Sequence, residues 1–344
     1  MGTWELTARD TLSERARKLA EIALANADGT KAAVDGAAAD LARALDFYGR
    51  LDAAAGPAQA LREPTEPGAG RGFILEDAHP LQARDHRYGL RPERWDALRG
   101  RVFWITGAGT GYGRTIATIL GFAGARLVLS GRRAAVLSEA AEQIADLAGG
   151  ADILIAPLDV ADPQWVDRTV AAIDQQFGRL DGLACGAALP GNPGSIMSMA
   201  GDDLRRMVDV NIMGVAHCCR SAVPLMLRNK GCRVVLFSSE AGWGFPPGLG
   251  VYNMTKAAVN ALGASLAGEL AATLPGFDIQ VNSLDPGEAR TEMNRNSHVS
   301  AFSVCSMALT LLSHPAGGPN GCFFHRDGRH LSYGYCPPWP HPVC

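Results

Sequence analysis

Between residues 102 and 325 the chain switches repeatedly from a short apolar run to a longer stretch with apolar residues three and four apart, and this alternation limits the possible folds more than any other feature. Val102-Phe103-Trp104-Ile105 begins the series. Further apolar runs lie at 127–129, 153–155, 180–184, 234–237, 278–284 and 322–325, and stretches of helical spacing at 114–123, 136–147, 165–177, 202–229, 252–273 and 302–312. Strands that alternate with helices pair in parallel through right-handed crossovers, and helices then cover both faces of the sheet. The expected architecture is α/β, a doubly wound parallel sheet.

Residues 1–56 stand apart. Leu12, Arg15, Ala16, Leu19, Ile22 and Ala23, then Leu41, Leu45, Tyr48 and Leu51, give two amphipathic helices broken around Asn26-Ala27-Asp28-Gly29, so a helical hairpin extension is expected. Residues 57–97 are rich in Pro, Gly and charge and read as a linker, and 331–344 as a Pro/aromatic tail. With 344 residues and 47 % hydrophobic content, there is ample material for a core. A net charge of -3 without a dense Lys/Arg block argues against nucleic acid or an anionic membrane as the main partner and leaves a small molecule. No apolar run approaches membrane-spanning length and the start of the chain is not a signal core, so a cytoplasmic location is expected. The eight cysteines show no C-x-x-C spacing and read as buried free thiols.

Thr106-Gly107-Ala108-Gly109-Thr110-Gly111-Tyr112-Gly113 joins the first strand to the first helix. Glycines there let backbone approach a pyrophosphate, whose charge meets free N–H groups at the helix start. After the second strand, Ser130-Gly131-Arg132-Arg133 lacks the acid that would hold a ribose 2′-hydroxyl. Arg132 and Arg133 suit a 2′-phosphate, which favours NADP over NAD; alternatively they are solvated residues at a strand end. Asp159, followed by Val160, either meets an adenine amino group or caps the next helix. Tyr252 and Lys256, four apart, share one helix face, so an ammonium would lie beside a phenol and lower its pKa toward neutrality.

These motifs together resemble the short-chain dehydrogenase/reductase family over about 98–328, which implies a Rossmann fold. T-G-x-x-x-G-x-G matches Thr106 to Gly113, Y-x-x-x-K matches Tyr252 and Lys256, and the family's serine matches Ser239, thirteen residues earlier. Its active-site Asn matches Asn211, and P-G-x-x-x-T matches Pro286, Gly287 and Thr291, the segment that lies against nicotinamide. The resemblance implies hydride transfer between NADPH and a carbonyl or carbinol carbon. Tyr252 would donate the proton, Lys256 would lower its pKa and hold the nicotinamide ribose, and Ser239 would bond the substrate oxygen. Asn211 would hold a water linking Lys256 to solvent. The cofactor residues implied are Gly107, Gly109, Thr110, Gly111, Tyr112, Gly113, Arg132, Arg133, Asp159, Val160, Tyr252, Lys256, Pro286, Gly287 and Thr291.

Two departures stand out. Cys185-Gly186-Ala187-Ala188 replaces the family's Asn-Asn-Ala-Gly, with a loosened cofactor floor as the expected effect, and few residues separate Thr291 from the helix near Phe302, where a lid is often inserted. Ser238 should face away from Ser239. Aromatics of the 242–249 loop either wall the substrate pocket or merely pack. His325 and His330 lack convergent ligand spacing, so no metal is expected. Pairing through the helices after Asn211 and Tyr252 implies a homodimer or homotetramer. A carbohydrate-directed enzyme and a non-catalytic NADP sensor remain as alternatives.

Overall fold

The computed structural model describes residue 84 and residues 87–190, 199–246 and 248–331. Two compact units divide the chain, one of Met1–Phe73 with Gly89–Arg91, the other of Ile74–Tyr88 with Pro92–Cys344. The hairpin expected over 1–56 and the tail from 332 lie outside the described residues. In the second unit the stretch expected as linker ends in a short helix, α1 (Pro92–Asp96), whose Trp95 is buried.

Among the described residues, eight strands form one sheet. They are β1 (Val102–Thr106), β2 (Arg126–Ser130), β3 (Ile153–Ile155), β4 (Gly182–Cys185), β5 (Gly231–Phe237), β6 (Asp278–Asp285), β7 (Phe323–His325) and β8 (His330–Leu331). Their order is β3-β2-β1-β4-β5-β6-β7-β8, parallel throughout except for β8, which runs antiparallel to β7. The helices between them are α2 (Gly111–Phe122), α3 (Ala134–Ala148), α4 (Pro163–Phe177), α5 (Gly201–Val208), α6 (Gly214–Leu227), α7 (Gly250–Thr273) and α8 (Cys305–Leu312). Every residue of β1 is buried, as a central strand covered on both faces requires. Trp104, fully buried there, donates its indole N–H to Ser130 Oγ at 2.9 Å, so even this apolar strand leaves no polar atom of its largest side chain unpaired. The strand order reverses between β1 and β4, which opens a crevice at the carboxyl ends of the strands.

Three details differ from the sequence reading. The helix expected over 202–229 is α5 and α6 joined by a π-helical turn, Asp209–Met213, that contains Asn211. The combined run Gly201–Leu227 has 27 residues and is apolar enough to cross a membrane, contrary to the expectation that no run reaches that length. Over half of its most apolar window, 56 %, is buried inside the fold, and Val215, Cys218, Cys219, Ala222 and Met226 belong to the core. Its hydrophobicity therefore serves packing against the sheet. The third difference is β8, a strand too short to register as an apolar run. It follows a turn in which Asp327 accepts from Arg329 Nε at 2.8 Å.

Candidate active site

The carboxyl ends of β1, β2 and β4 and the start of α2 surround a groove of about 550 Å³. At its floor the chain turns through Gly107 with φ 71° and Gly111 with φ 54°, left-handed values that side chains rarely adopt. A Cβ on Gly107 would stand 2.8 Å from the Ala187 nitrogen, and one on Gly113 would strike the Gly107 carbonyl oxygen. The turn is thus packed backbone on backbone, and the N-terminus of α2 is open to the groove. Gly113→Ala is expected to cost about 1–3 kcal/mol, the usual penalty of overpacking, and to weaken nucleotide binding; thermal melts and a fluorescence titration check both.

Most of the expected cofactor residues line this groove: Gly107, Gly109, Thr110, Gly111, Tyr112 and Gly113 from the turn, Arg132 and Arg133 after β2, Asp159 and Val160 after β3, and Tyr252, Lys256, Pro286 and Thr291 on the far wall. Gly287, Ser239 and Asn211 do not line it. Gly287 instead accepts the Tyr112 hydroxyl at 2.8 Å on its carbonyl, and the Tyr112 ring stacks on Phe237 with centroids 6.1 Å apart. The Pro-Gly segment is thereby tied to the glycine turn. Asp159 Oδ1 accepts from the Ala161 N–H at 3.1 Å, a local turn, while the cap of α4 is Asp162, which accepts from Gln164 N at 2.9 Å and Trp165 N at 3.1 Å. Pro163 at the first helical position favours Asp162, so the capping alternative for Asp159 is corrected.

Ser239, Tyr252 and Lys256 come together. Ser239 lies close enough to the Tyr252 phenol to favour its ionised form, and the Lys256 Nζ stands 5.6 Å from the Tyr252 ring centre. Ser238, expected to face away, lines the groove where Ser239 does not, and its hydroxyl donates to the Lys256 carbonyl at 3.4 Å. Lys256, only 4 % exposed, donates to the Phe237 carbonyl at 2.7 Å. Desolvation lowers its pKa from 10.5 to about 8, against the opposing pull of Asp285 and Cys185. The expected lowering of the Tyr252 pKa is not what the structure has. Tyr252 is half-buried, yet desolvation of its surroundings pushes the phenol up to about 12; Ser239 works against this and Asp285 with it. With its ammonium on the Phe237 carbonyl, Lys256 is not among the groups that shift the phenol.

Asn211 is 1 % exposed. Its Oδ1 accepts from the Leu189 N–H at 2.7 Å, and its Nδ2 donates to the Leu189 carbonyl at 3.1 Å and to Thr255 Oγ1 at 3.2 Å. Both amide hydrogens are therefore spent, and the water-holding role expected of Asn211 is not open to its side-chain donors. It pins the segment after β4 to α7. That segment, Cys185-Gly186-Ala187-Ala188, is not loosened by lacking polar side chains: Gly186 N donates to the Thr106 carbonyl at 3.2 Å and Ala187 N to Thr106 Oγ1 at 3.2 Å. Below it, the Cys185 thiol is buried in one core cluster with Cys218 and Cys219, and these neighbours together with burial push it well up.

The pattern of residues 101–300 matches the family model described as short chain dehydrogenase. The chain belongs to the short-chain dehydrogenase family. An uncharacterised oxidoreductase of Staphylococcus aureus strain USA300 is 32 % identical over 194 residues, covering 56 % of this chain and 80 % of that protein. Among solved structures, a short-chain type dehydrogenase/reductase from Mycobacterium ulcerans is 29 % identical with a TM-score of 0.62, covering 66 % of this chain and 88 % of its own. L-Sorbose reductase from Gluconobacter frateurii, solved with NADPH and L-sorbose, is 26 % identical with a TM-score of 0.60, covering 67 % of this chain and 96 % of its own.

Two residues of this short-chain dehydrogenase site, Glu292 and Asp285, escaped the sequence reading. Glu292 reaches across the groove mouth to Arg133, 2.6 Å from its Nη2, and accepts the Thr110 hydroxyl at 3.4 Å. Its place directly after Thr291 was the available signal. Trp243, in the loop whose aromatics were expected either to wall the substrate pocket or merely to pack, donates its indole N–H to Asp285 Oδ2 at 3.2 Å, and neither it nor Phe245 lines the groove. Asp285 precedes Pro286 and is 2 % exposed. Between Thr291 and α8 there is a small closed loop, in which Arg290 N donates to the Val299 carbonyl at 2.6 Å and Thr291 and Asn294 exchange backbone bonds. Among the described residues no group of three or more His, Cys, Asp or Glu could hold a metal ion.

Proposed function

We propose that this oxidoreductase uses NADPH to reduce a carbonyl, or NADP to oxidise the corresponding secondary alcohol, of a small molecule. The observation that carries the reading is Tyr252 with the buried Lys256 ammonium 5.6 Å from its ring and Ser239 beside its phenol, at one side of a groove whose other side is a glycine turn flanked by arginines. The backbone-packed turn fits a pyrophosphate, since its glycines leave room only for something bound against the main chain. The nicotinamide, when bound, supplies or accepts the hydride. Tyr252 donates its proton to the substrate oxygen, and a phenol near 12 is fully protonated for that task at neutral pH. Ser239 steadies the same oxygen as charge develops. Lys256 holds a positive charge behind the phenol, and Asn211 fixes α7 against the groove floor. The NADPH-bound sorbose reductase supports the cofactor and places a ketose among the substrates worth trying.

The test is NADPH oxidation against ketones, aldehydes and ketoses, with Tyr252→Phe alongside. Substrate-dependent turnover that the variant loses is expected. Tight NADPH binding with no turnover on any compound would favour the sensor.

Preference for NADP rests on Arg132 and Arg133 at the groove wall and on the missing acid after β2. The Glu292 carboxylate competes with a 2′-phosphate for Arg133. Arg133→Ala is expected to weaken NADPH by about 1.5–3 kcal/mol, the worth of a hydrogen bond to a charged group, with NADH little changed. Glu292→Gln should shift the NADPH/NADH affinity ratio the other way. Fluorescence titration with both cofactors reads the two effects, and equal losses for both cofactors in Arg133→Ala would remove the arginine from the selection.

The same reading takes 98–330 as the catalytic domain, with 1–56 as a helical extension, 57–97 as a linker and 331–344 as a tail. It also takes the protein as a cytoplasmic homodimer or homotetramer. Leu204, Met213 and Met254, exposed on α5, the π turn and α7, support pairing through those helices. Light scattering on the full chain tests the assembly.

A further inference from the structure

Asp285 is a carboxylate sealed inside the fold, 2 % exposed, with no cation among the hydrogen-bond donors to its side chain from the described residues. Its Oδ1 accepts from the Gly287 N–H at 2.9 Å and its Oδ2 from the Trp243 indole at 3.2 Å, both neutral donors. Its carbonyl accepts from Arg326 N at 2.9 Å, a main-chain bond that leaves the charge of the side chain untouched. Burying a charge with neutral partners alone is costly, and such groups persist where they act on neighbours. The neighbours here are the reacting ones. Asp285 directly follows Leu284, which pairs with Phe237, the residue whose carbonyl holds the Lys256 ammonium at 2.7 Å, and from that position its charge sustains the protonated form of Lys256 against burial and opposes ionisation of Tyr252 and of Tyr112.

We propose that Asp285 is a positioning residue that sets the charge balance of the Tyr252–Lys256 pair and, through Trp243, anchors the loop between Ser239 and Tyr252. The proposal rests on the oxidoreductase reading above. The groups facing the pair can be named from each side. Lys256 meets Asp285 from β6 and the Cys185 thiol from β4, with the Tyr252 ring on its own helix. Tyr252 meets Ser239 from the segment after β5 and Asp285 from β6, and it interacts with Tyr112 of α2. Tyr112 in turn meets Arg326 and Glu288, of opposite sign. Asp285 is the anion common to all three. Without it Lys256 loses the one carboxylate that keeps it charged, and the phenol ionises more readily.

The chain has four lysines, Lys18, Lys31, Lys230 and Lys256, so labelling lysine with carbon-13 at Cε lets Lys256 be titrated by NMR without substrate. In Asp285→Asn and Asp285→Ser the Lys256 midpoint is expected to fall by about one pH unit or more, as when an opposite charge is removed from beside an ammonium. The alkaline limb of kcat for reduction should move down with it. Asp285→Glu should restore both, and Trp243→Phe, which keeps the carboxylate, should leave the midpoint in place while raising KM. An unmoved Lys256 midpoint in folded Asp285→Asn and Asp285→Ser would overturn the proposal. So would failure of both to fold, because a purely architectural carboxylate behaves that way. The NMR titration is independent of turnover, so an inactive wild type would count against the proposed function and leave the Asp285 result readable.

Discussion

Tyr252→Phe lowers kcat for carbonyl reduction by about 10²–10⁴-fold, the range that a positioned general acid contributes, while NADPH affinity and thermal stability stay close to wild type. The change deletes one hydroxyl. The neighbouring Ser239 keeps an N–H from Ala241 at 3.1 Å, so its hydroxyl is not left orphaned. The ring itself remains to pack in the groove wall. With the phenol near 12, the proton is present across the neutral range, and the rate of reduction should not fall on account of Tyr252 until far above it. Oxidation of an alcohol needs the phenolate and should instead rise with pH. Stopped-flow single turnovers at several pH values separate the two directions, and a kcat near the wild-type value in Tyr252→Phe would remove the tyrosine from the chemistry.

The second large effect concerns Lys256, for which activity and stability are expected to part. Lys256→Met removes the cation behind the phenol and should abolish most turnover. Its effect on stability depends on pH. The native pKa of Lys256, about 8, lies below its ordinary 10.5, so the folded protein holds the proton less firmly than the unfolded chain does. Wherever the unfolded state binds more protons, stability rises with pH. The burial penalty is thus fully present below pH 8 and is relieved between there and 10.5, by roughly 3 kcal/mol. Urea melts of wild type and Lys256→Met across that window should show the wild type gaining on the variant. Parallel curves would mean that the ammonium is not desolvated. The Phe237 carbonyl, left without its 2.7 Å donor in the variant, adds a cost that does not vary with pH and so cancels from the slope.

The sheet was legible because its strands are buried on both faces and so announce themselves as unbroken apolar runs, from Val102-Phe103-Trp104-Ile105 onward. β8 was not, being two residues that pair only after a tight turn. Tyr252 and Lys256 were found from spacing, since one helical turn fixes their relation locally. Their charge state was not, because it depends on the Phe237 carbonyl and on Asp285, both remote in the chain and brought near only by the parallel pairing of β5 with β6. The π turn at Asn211 likewise has no residue signature. It is a matter of backbone bonding, and its consequence, the amide's grip on Leu189 and Thr255, exists only once β4 and α7 are assembled.

The thiols beneath the groove offer a clock. Cys185, Cys218 and Cys219 are at most 3 % exposed, and the Cys185 sulfur is held far from its thiolate form, so a thiol-directed reagent at neutral pH must wait for the strand end to open. Cys322 is the most accessible thiol among the described residues and supplies a faster internal reference. Because Cys185 directly precedes the backbone that holds the groove floor, its labelling rate counts how often that floor lifts from Thr106. A nucleotide resting on the floor would slow the count, and the ratio of the two rates would measure its grip without any catalytic event.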